Sequence, residues 1–260
     1  MKRFFVLSIF ITIAAFCLCA CGTQSKPVQL TISCASSLKP AMTEIESAFE
    51  ALHSDIDLVF TFGATTSLQQ QIEQGAPIDV FCAADQKSVD ALAASGDITA
   101  DSVYDFAQGT LVLVPGSAYK GTLEEWEDLL NQDVKKIAIA DPNIAPYGKA
   151  AKELLDTKGI WGQLVKGEKI VFATTVDDAY QYAKSGEVDA AAIAKSTAIS
   201  GDLPFFEDAE WLNAYTPIIQ SMGIVASTKY PDQAKLFEDF MKSDDAKNIL
   251  KNYGFTIPTE

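Results

Sequence analysis

Arginine and histidine are almost absent from this chain of 260 residues. Its only arginine is Arg3, and its only histidine is His53. Without arginine the protein has no bidentate clamp for a phosphate group, and with 35 acidic against 20 basic residues it has no basic surface for nucleic acid. A cation site would have to be built from carboxylates around a single histidine in a polar loop segment. We therefore expect no metal bound as a free cation, and no nucleic-acid partner.

Cysteine is also scarce, with five residues of which three lie in the first 21 positions. The other two are Cys34 and Cys82, and both stand in apolar, strand-like runs. Buried cysteines in such runs usually serve as small apolar side chains, so we expect two thiols, although an exported chain permits a disulfide.

The N-terminus carries the pattern of an export signal. Lys2 and Arg3 precede an apolar run that ends in Leu18-Cys19-Ala20-Cys21, where small residues precede a cysteine. This ending resembles a bacterial lipobox. We predict a signal peptide at 1–20 and a polar tether at 21–27 that is lipidated on Cys21. The mature chain would then work outside the cytoplasm, held to the membrane by its lipid.

Strand-like and helix-like patterns alternate along the rest of the chain. The apolar run at 28–35 precedes a helical pattern at 37–52, and this order recurs several times. Such alternation predicts an α/β fold with mainly parallel sheets flanked by helices. A break near 109 indicates two lobes, which we assign to residues 28–108 plus 222–260 and to residues 109–221. Two α/β lobes leave a cleft at the carboxyl ends of their strands.

Four strand-to-helix junctions point at this predicted cleft. They are Ser36-Ser37, Thr65-Thr66-Ser67, Pro142 to Gly148, and Thr174-Thr175-Val176. A helix start carries unpaired N–H groups and a partial positive charge, so several converging starts form an anion site without a basic side chain. A cage of neutral donors favours a fully deprotonated oxyanion, because a protonated ligand requires an acceptor.

Several of these segments together resemble a known family. They are ASSLKPAM, FGATTSLQQQIEQGAPIDVF, AADQK, ADPNIAPYGKAAKELL and the closing NYGFTIP. This combination is similar to the molybdate-binding components of bacterial ABC transporters, over nearly the whole mature chain. The resemblance implies a two-lobed, type II periplasmic-binding-protein fold that binds one molybdate or tungstate ion and delivers it to a membrane permease. It implies a binding protein without enzymatic activity, and we expect a monomer.

The resemblance also assigns site residues. It places Ser37, with Ser36 beside it, at the first junction and Thr65 at the second. It assigns backbone amides at Tyr147 and Val176 to the other two. The chain departs from the family at Ala194, where many members have a tyrosine. We hypothesise that the phenol of Tyr147 fills the vacated space or contacts the oxyanion.

Three alternatives compete with this interpretation. An isolated hydroxyl before a helix is usually an N-cap, and at 65–67 we expect Thr65 to face the ligand while Thr66 or Ser67 caps the helix. Sulfate is another deprotonated tetrahedral dianion that the same donors could hold. Finally, Ser36 and Lys39 match the Ser-x-x-Lys pattern of acylating hydrolases, a weak motif whose companion elements are missing here.

Overall fold

A computed structural model of the protein describes residues 26–208 and 211–258. The predicted signal peptide, Cys21 and most of the tether lie outside these residues. The strands are β1 (Val28–Ala35), β2 (Ile56–Gly63), β3 (Val80–Ala83), β4 (Tyr104–Gly109), β5 (Leu111–Pro115), β6 (Ile137–Ala140), β7 (Ile170–Ala173), β8 (Ala190–Ala194) and β9 (Ile218–Ile224). The α-helices are α1 (Lys39–Leu52), α2 (Thr65–Glu73), α3 (Gln86–Ser95), α4 (Pro146–Thr157), α5 (Trp161–Lys166), α6 (Val176–Ser185), α7 (Lys195–Ser200), α8 (Pro231–Met241) and α9 (Asp244–Asn252).

The strands form two separate sheets. The first has five strands in the order β2-β1-β3-β9-β4, and the second has four in the order β5-β8-β6-β7. Pairing is parallel between β1 and its neighbours β2 and β3, and between β6 and its neighbours β7 and β8. β9 runs antiparallel to β3 and β4, and β5 runs antiparallel to β8. The predicted α/β class with two mainly parallel, helix-flanked sheets is therefore confirmed, with one antiparallel strand in each sheet.

The chain crosses between the sheets twice. The first crossing lies between Gly109, the end of β4, and Leu111, the start of β5. The return crossing comes before β9, which pairs with the first sheet from Ile218 onward. The lobe limit predicted at 221/222 falls inside this strand. After β9 the chain finishes on the first lobe, where Gln108 and Thr256 form an antiparallel bridge.

Helix α1 shows how the sequence pattern produces its element. Met42, Ile45 and Phe49 recur at helical spacing, and all three side chains are fully buried. Pro40 stands in the first turn, where its missing N–H breaks no intrahelical hydrogen bond. A short 3₁₀ turn, Ser36–Leu38, joins β1 directly to this helix. The 3₁₀ turn therefore places two serines at the carboxyl edge of the first sheet.

Some elements differ from the sequence prediction. The sequence around Trp126 favours a helix with the tryptophan turned inward, and the structure forms a short 3₁₀ helix there, Trp126–Leu130, with the tryptophan buried. The pattern also missed β4, α5 and α7. The two helices have only six residues each, too few to show a helical repeat.

Cys34 and Cys82 are free thiols, buried side by side in the first sheet. They are register partners on β1 and β3. Burial, together with the neighbouring Cys82 thiol, raises the pKa of Cys34 well above its usual value. The prediction of two buried thiols agrees with this arrangement. None of the helices in the described part of the chain has the length and apolar character needed to cross a membrane.

Gly148 allows α4 to lie close to β6, and we expect Gly148→Ala to be destabilising. A Cβ at this position would lie 2.1 Å from the Ala140 carbonyl oxygen, so the first turn of α4 would have to move. Such overpacking costs about 1–3 kcal/mol. Equilibrium unfolding in urea measures this loss. The matched control is Gly162→Ala in α5, where an added Cβ meets nothing within 4 Å, and which should leave the unfolding free energy unchanged or raise it.

Candidate functional site

A small cavity of about 10 Å³ lies between the two sheets, at the carboxyl ends of their strands. Residues from all four predicted junctions line it. They include the five site residues predicted from the sequence, namely Ser36, Ser37, Thr65, Tyr147 and Val176. The first three belong to the first lobe and the last two to the second, so the cavity is an interlobe site.

At each junction a backbone N–H group at the start of the helix lacks a hydrogen-bond acceptor within residues 26–208 and 211–258. The amides of Ser37, Thr65, Tyr147 and Val176 donate to no backbone or side-chain acceptor within residues 26–208 and 211–258. These residues are all buried. Buried amides without partners are costly unless a ligand or water accepts from them. Four such groups from both lobes therefore converge on a place where an anion would be stabilised.

The three hydroxyls at 65–67 do not cap helix α2. Its N-cap is Ala64, and no side chain accepts a hydrogen bond from the first turn. The expectation that Thr66 or Ser67 caps this helix is therefore wrong. Thr65 has a different partner, because its Oγ1 accepts a hydrogen bond of 3.1 Å from the amide of Ala84, after β3. A hydroxyl that accepts in this way keeps its own proton to donate.

The first junction places two further hydroxyls at the cavity. Ser36 and Ser37 are buried in the 3₁₀ turn before α1, which has no side-chain N-cap. The Ser37 Oγ atom has no hydrogen-bond partner within the described part of the chain. A buried hydroxyl without a partner is unusual in a stable protein. Its position beside the free amide of Ser37 is typical of a group that donates to a ligand.

Tyr147 lies at the start of α4 and is buried, with 3% of its surface exposed. Its phenol packs against the crossing between the lobes, where a Cβ on Gly109 would lie 2.0 Å from the phenol oxygen. Burial raises the pKa of Tyr147, Tyr215 raises it further, and the nearby Ser37 hydroxyl lowers it in part. The Ser37 and Tyr147 hydroxyls are close but do not meet in a hydrogen bond of normal geometry. The phenol is therefore neutral and able to donate.

Ala194, the position where the family pattern has a tyrosine, is the last residue of β8 and is fully buried. It pairs with Leu111, two residues beyond the Gly109 that contacts the Tyr147 phenol. The backbone N–H of Leu111 donates to the hydroxyl of Tyr215 at 3.3 Å. Tyr147 and Tyr215 thus both lie close to the end of β8. Whether the Tyr147 phenol takes the role of the missing hydroxyl stays a prediction.

The fourth junction differs from the others because its helix has a full capping box. The Thr175 side chain accepts from the amide of Asp178 at 3.0 Å, and the Asp178 carboxylate accepts from the amide of Thr175 at 3.0 Å. The hydroxyl of Thr175 is thereby used within its own helix. The backbone amide of Val176, at the first position of α6, lines the cavity, and its role as a ligand stays a prediction.

Charged side chains are absent from the lining of this cavity as the structure describes it. Lys39 of the first lobe and Asp177 of the second form an ion pair at 3.6 Å across the two lobes. Lys39 makes no hydrogen bond to Ser36 in residues 26–208 and 211–258, so it is not placed to activate that serine. In the same part of the chain no cluster of three or more His, Cys, Asp or Glu side chains could hold a metal ion.

The lobes are in direct contact around the cavity. The amide of Thr66, next to Thr65, donates to the carbonyl of Ile144 in the second lobe at 3.2 Å. Outside the cavity an open groove of about 490 Å³ runs between α1 on one lobe and helices α6 and α7 on the other. The small cavity, and not this larger groove, contains the converging amides.

Sequence reasoning missed two features that shape the site. Ala84 fixes the Thr65 hydroxyl, and Gly109 makes room for the Tyr147 phenol. Neither has a chemical signal in the sequence, because one acts through its backbone amide and the other through the side chain that it lacks.

Comparisons with known proteins agree with this architecture. Residues 30–256 match the family described as bacterial extracellular solute-binding protein. A relative with 31% identity over 96% of this chain and 95% of its own length is YvgL of Bacillus subtilis, whose name describes an ABC transporter substrate-binding lipoprotein. The molybdate-binding protein ModA of Azotobacter vinelandii is 30% identical over 97% of this chain and 99% of its own length. ModA of Escherichia coli is 30% identical over 88% and 89%.

Solved structures give the same result. The periplasmic molybdate-binding protein of Azotobacter vinelandii aligns with a TM-score of 0.83 at 30% identity, and covers 88% of this chain and 100% of its own. The sulfate-binding protein SubI of Mycobacterium tuberculosis shares the fold, with a TM-score of 0.72 at 16% identity over 88% of this chain and 87% of its own. The family resemblance found in the sequence is thus confirmed: this chain belongs to the bacterial extracellular solute-binding proteins.

Proposed function

We propose that this protein captures molybdate, and tungstate with it, in the interlobe cavity and delivers the ion to an ABC permease. The observation that supports this most is the set of unpaired helix-start amides from both lobes, joined by the hydroxyls of Ser37 and Thr65. Each group is a neutral donor. A small oxyanion is the ligand that accepts from many donors at once.

The absence of carboxylates from the described lining sets the protonation state of the ligand. An oxyanion that keeps a proton at neutral pH, such as hydrogen phosphate, has to donate it to an acceptor. Within the described part of the chain the cavity offers amides and hydroxyls, and a carboxylate is the stronger acceptor for a proton on an anion. We infer that fully deprotonated dianions are preferred over hydrogen phosphate.

The acidic surface does not prevent binding of an anion. The chain carries a net charge of −15, but most of these charges lie on the surface, where water and salt screen them within about 10 Å at moderate ionic strength. Helix-start dipoles act at contact distance inside a cavity from which water is excluded. The surface charge should therefore slow capture of the ion more than it weakens the bound complex.

Molybdate is favoured over sulfate by the relatives, not by the charge of the site. Both ions are tetrahedral dianions, and they differ mainly in size. Two relatives that match most of this chain at 30% identity are named as molybdate-binding proteins, whereas the sulfate-binding neighbour shares 16% identity and only the fold.

The cellular setting follows from the N-terminal sequence and the family. We infer that residues 1–20 are removed, that Cys21 is lipidated, and that the monomeric protein is anchored at the outer face of the cytoplasmic membrane or faces the periplasm. Binding proteins of this kind work with ABC permeases, and we infer a molybdate permease as the partner. Retention of a Cys21→Ala protein in the membrane fraction would contradict the lipid anchor.

Calorimetric titration tests the ligand directly. We expect the chain from Val28 onward, stripped of bound ions, to bind one molybdate or one tungstate tightly, and to give little heat with sulfate or phosphate. The relatives named as molybdate-binding proteins favour molybdate over the smaller sulfate, and the missing acceptor should exclude phosphate. Equal affinity for sulfate would contradict the assignment to molybdate, and silence with all four ions would contradict an oxyanion site.

Ser37→Ala should weaken molybdate binding while the protein stays folded. A hydrogen bond to a charged group contributes about 1.5–3 kcal/mol, so the Kd should rise roughly 10- to 100-fold. The matched control is Ser33→Ala, because Ser33 Oγ is also buried and lacks a partner in the described residues but lies in the middle of β1. An equal loss in both variants, or in neither, would remove Ser37 from the site.

Tyr147→Phe tests whether the phenol contacts the ion. If its hydroxyl donates to molybdate, its removal should raise the Kd about tenfold or more, because one charge-assisted hydrogen bond is lost. Tyr180→Phe, on a buried tyrosine of α6 that does not line this cavity, serves as the control. If Tyr147→Phe binds like the unmodified protein while Ser37→Ala does not, the phenol only fills space next to Gly109.

A further inference from the structure

Ser196 makes a buried hydrogen bond from one lobe to the other. Its Oγ, on helix α7 of the second lobe, donates to the carbonyl oxygen of Ser37 in the first lobe at 2.7 Å. The two residues are 159 positions apart in sequence. Ser196 is 2% exposed and Ser37 is 1% exposed, so water does not compete for this bond.

This hydroxyl has no role in its own helix. Ser196 is the second residue of α7, whose N-cap is Ala194 and whose first turn has no side-chain cap. A serine inside a helix commonly bonds back to a carbonyl of the preceding turn. Ser196 instead reaches across the interface to Ser37, whose own hydroxyl lacks a partner in the described part of the chain.

The bond differs in kind from the other interlobe contacts. The Lys39–Asp177 pair has side chains 52% and 27% exposed, and exposed ion pairs contribute little because water screens them. The contact from Thr66 to Ile144 joins two backbone groups. Ser196 thus contributes a buried side-chain hydrogen bond to the contact between the lobes.

We propose that Ser196 is a positioning residue, a latch that holds the lobes closed over the ion and sets how long the ion stays bound. The proposal rests on the proposed function, because Ser37 is a ligand residue there. The hydrogen bond exists only while the lobes touch, and it fixes the backbone of Ser37, the residue that carries both donor groups. The lobes must break this hydrogen bond in order to open. The bond is absent from the open protein, so it does not affect an ion that enters the open cleft.

Kinetics separate this role from a general effect on stability. Loss of a contact that forms only after capture should raise the dissociation rate and leave the association rate unchanged. Since Ser196 does not touch the ion, the preference for molybdate over sulfate should not change. Loss of one buried hydrogen bond predicts release about tenfold faster in Ser196→Ala.

The test uses the folded chain with radiolabelled molybdate and a chase of excess unlabelled tungstate. The matched control is Ser102→Ala, because Ser102 also carries a buried hydroxyl that donates to a carbonyl, that of Thr99, within a single lobe. We expect Ser102→Ala to lower the unfolding temperature without faster release. We expect Ser196→Ala to release molybdate about tenfold faster, with association within about twofold of the unmodified protein.

A second measurement does not require the ion. Small-angle X-ray scattering of ligand-free protein should show a larger radius of gyration for Ser196→Ala, because the closed population loses its latch. Unchanged release together with an unchanged radius would overturn the latch. If the unmodified protein binds no molybdate but Ser196→Ala still increases the radius of gyration, the proposed function is wrong and the latch is supported.

Discussion

When the two α/β lobes close, they bury the N-terminal ends of helices from both lobes, and the rest of the structure depends on this constraint. In each lobe the parallel strands end at the cleft, so the turns that follow deliver unpaired N–H groups to the same place. A closed cavity without an acceptor would leave these groups unsatisfied, at a cost of about 1–3 kcal/mol each. The architecture is therefore most stable when an anion supplies the missing acceptors, and closure and binding become one event.

The choice of neutral donors gives the site its chemical character. Lys39 is paired with Asp177 and does not line the cavity, so the amides and hydroxyls are left to stabilise the ion. A cation would attract any anion from a distance, whereas amides act only at contact and in fixed directions. Such a site discriminates by shape, size and protonation state. The acidic exterior is compatible with it, because selection occurs after the ion has entered the cleft.

The sequence predicted the elements whose apolar residues follow a regular spacing. It missed the features that depend on tertiary contacts. The apolar run of β1 and the helical spacing of α1 are local signals, and both elements appear where they were expected. The hydroxyls at 65–67 were interpreted partly as caps because a cap is the usual local role. In the folded chain Thr65 bonds to Ala84, 19 residues away. Helix α7 was missed because six residues show no repeat, and the partner of Ser196 lies in the other lobe. The convergence of junctions was predictable from topology, whereas the partner of each hydroxyl was not.

The position of Tyr147 connects the site to the crossing between the lobes. Its phenol lies where any side chain at residue 109 would have to be, so the crossing can pass the site only with a glycine there. The family tyrosine would project from the end of β8, where this chain has Ala194. A phenol supplied from α4 approaches from the start of a helix, and it rests against Gly109 in the segment that joins the two lobes. The packing of this phenol is therefore shared between the candidate site and the crossing.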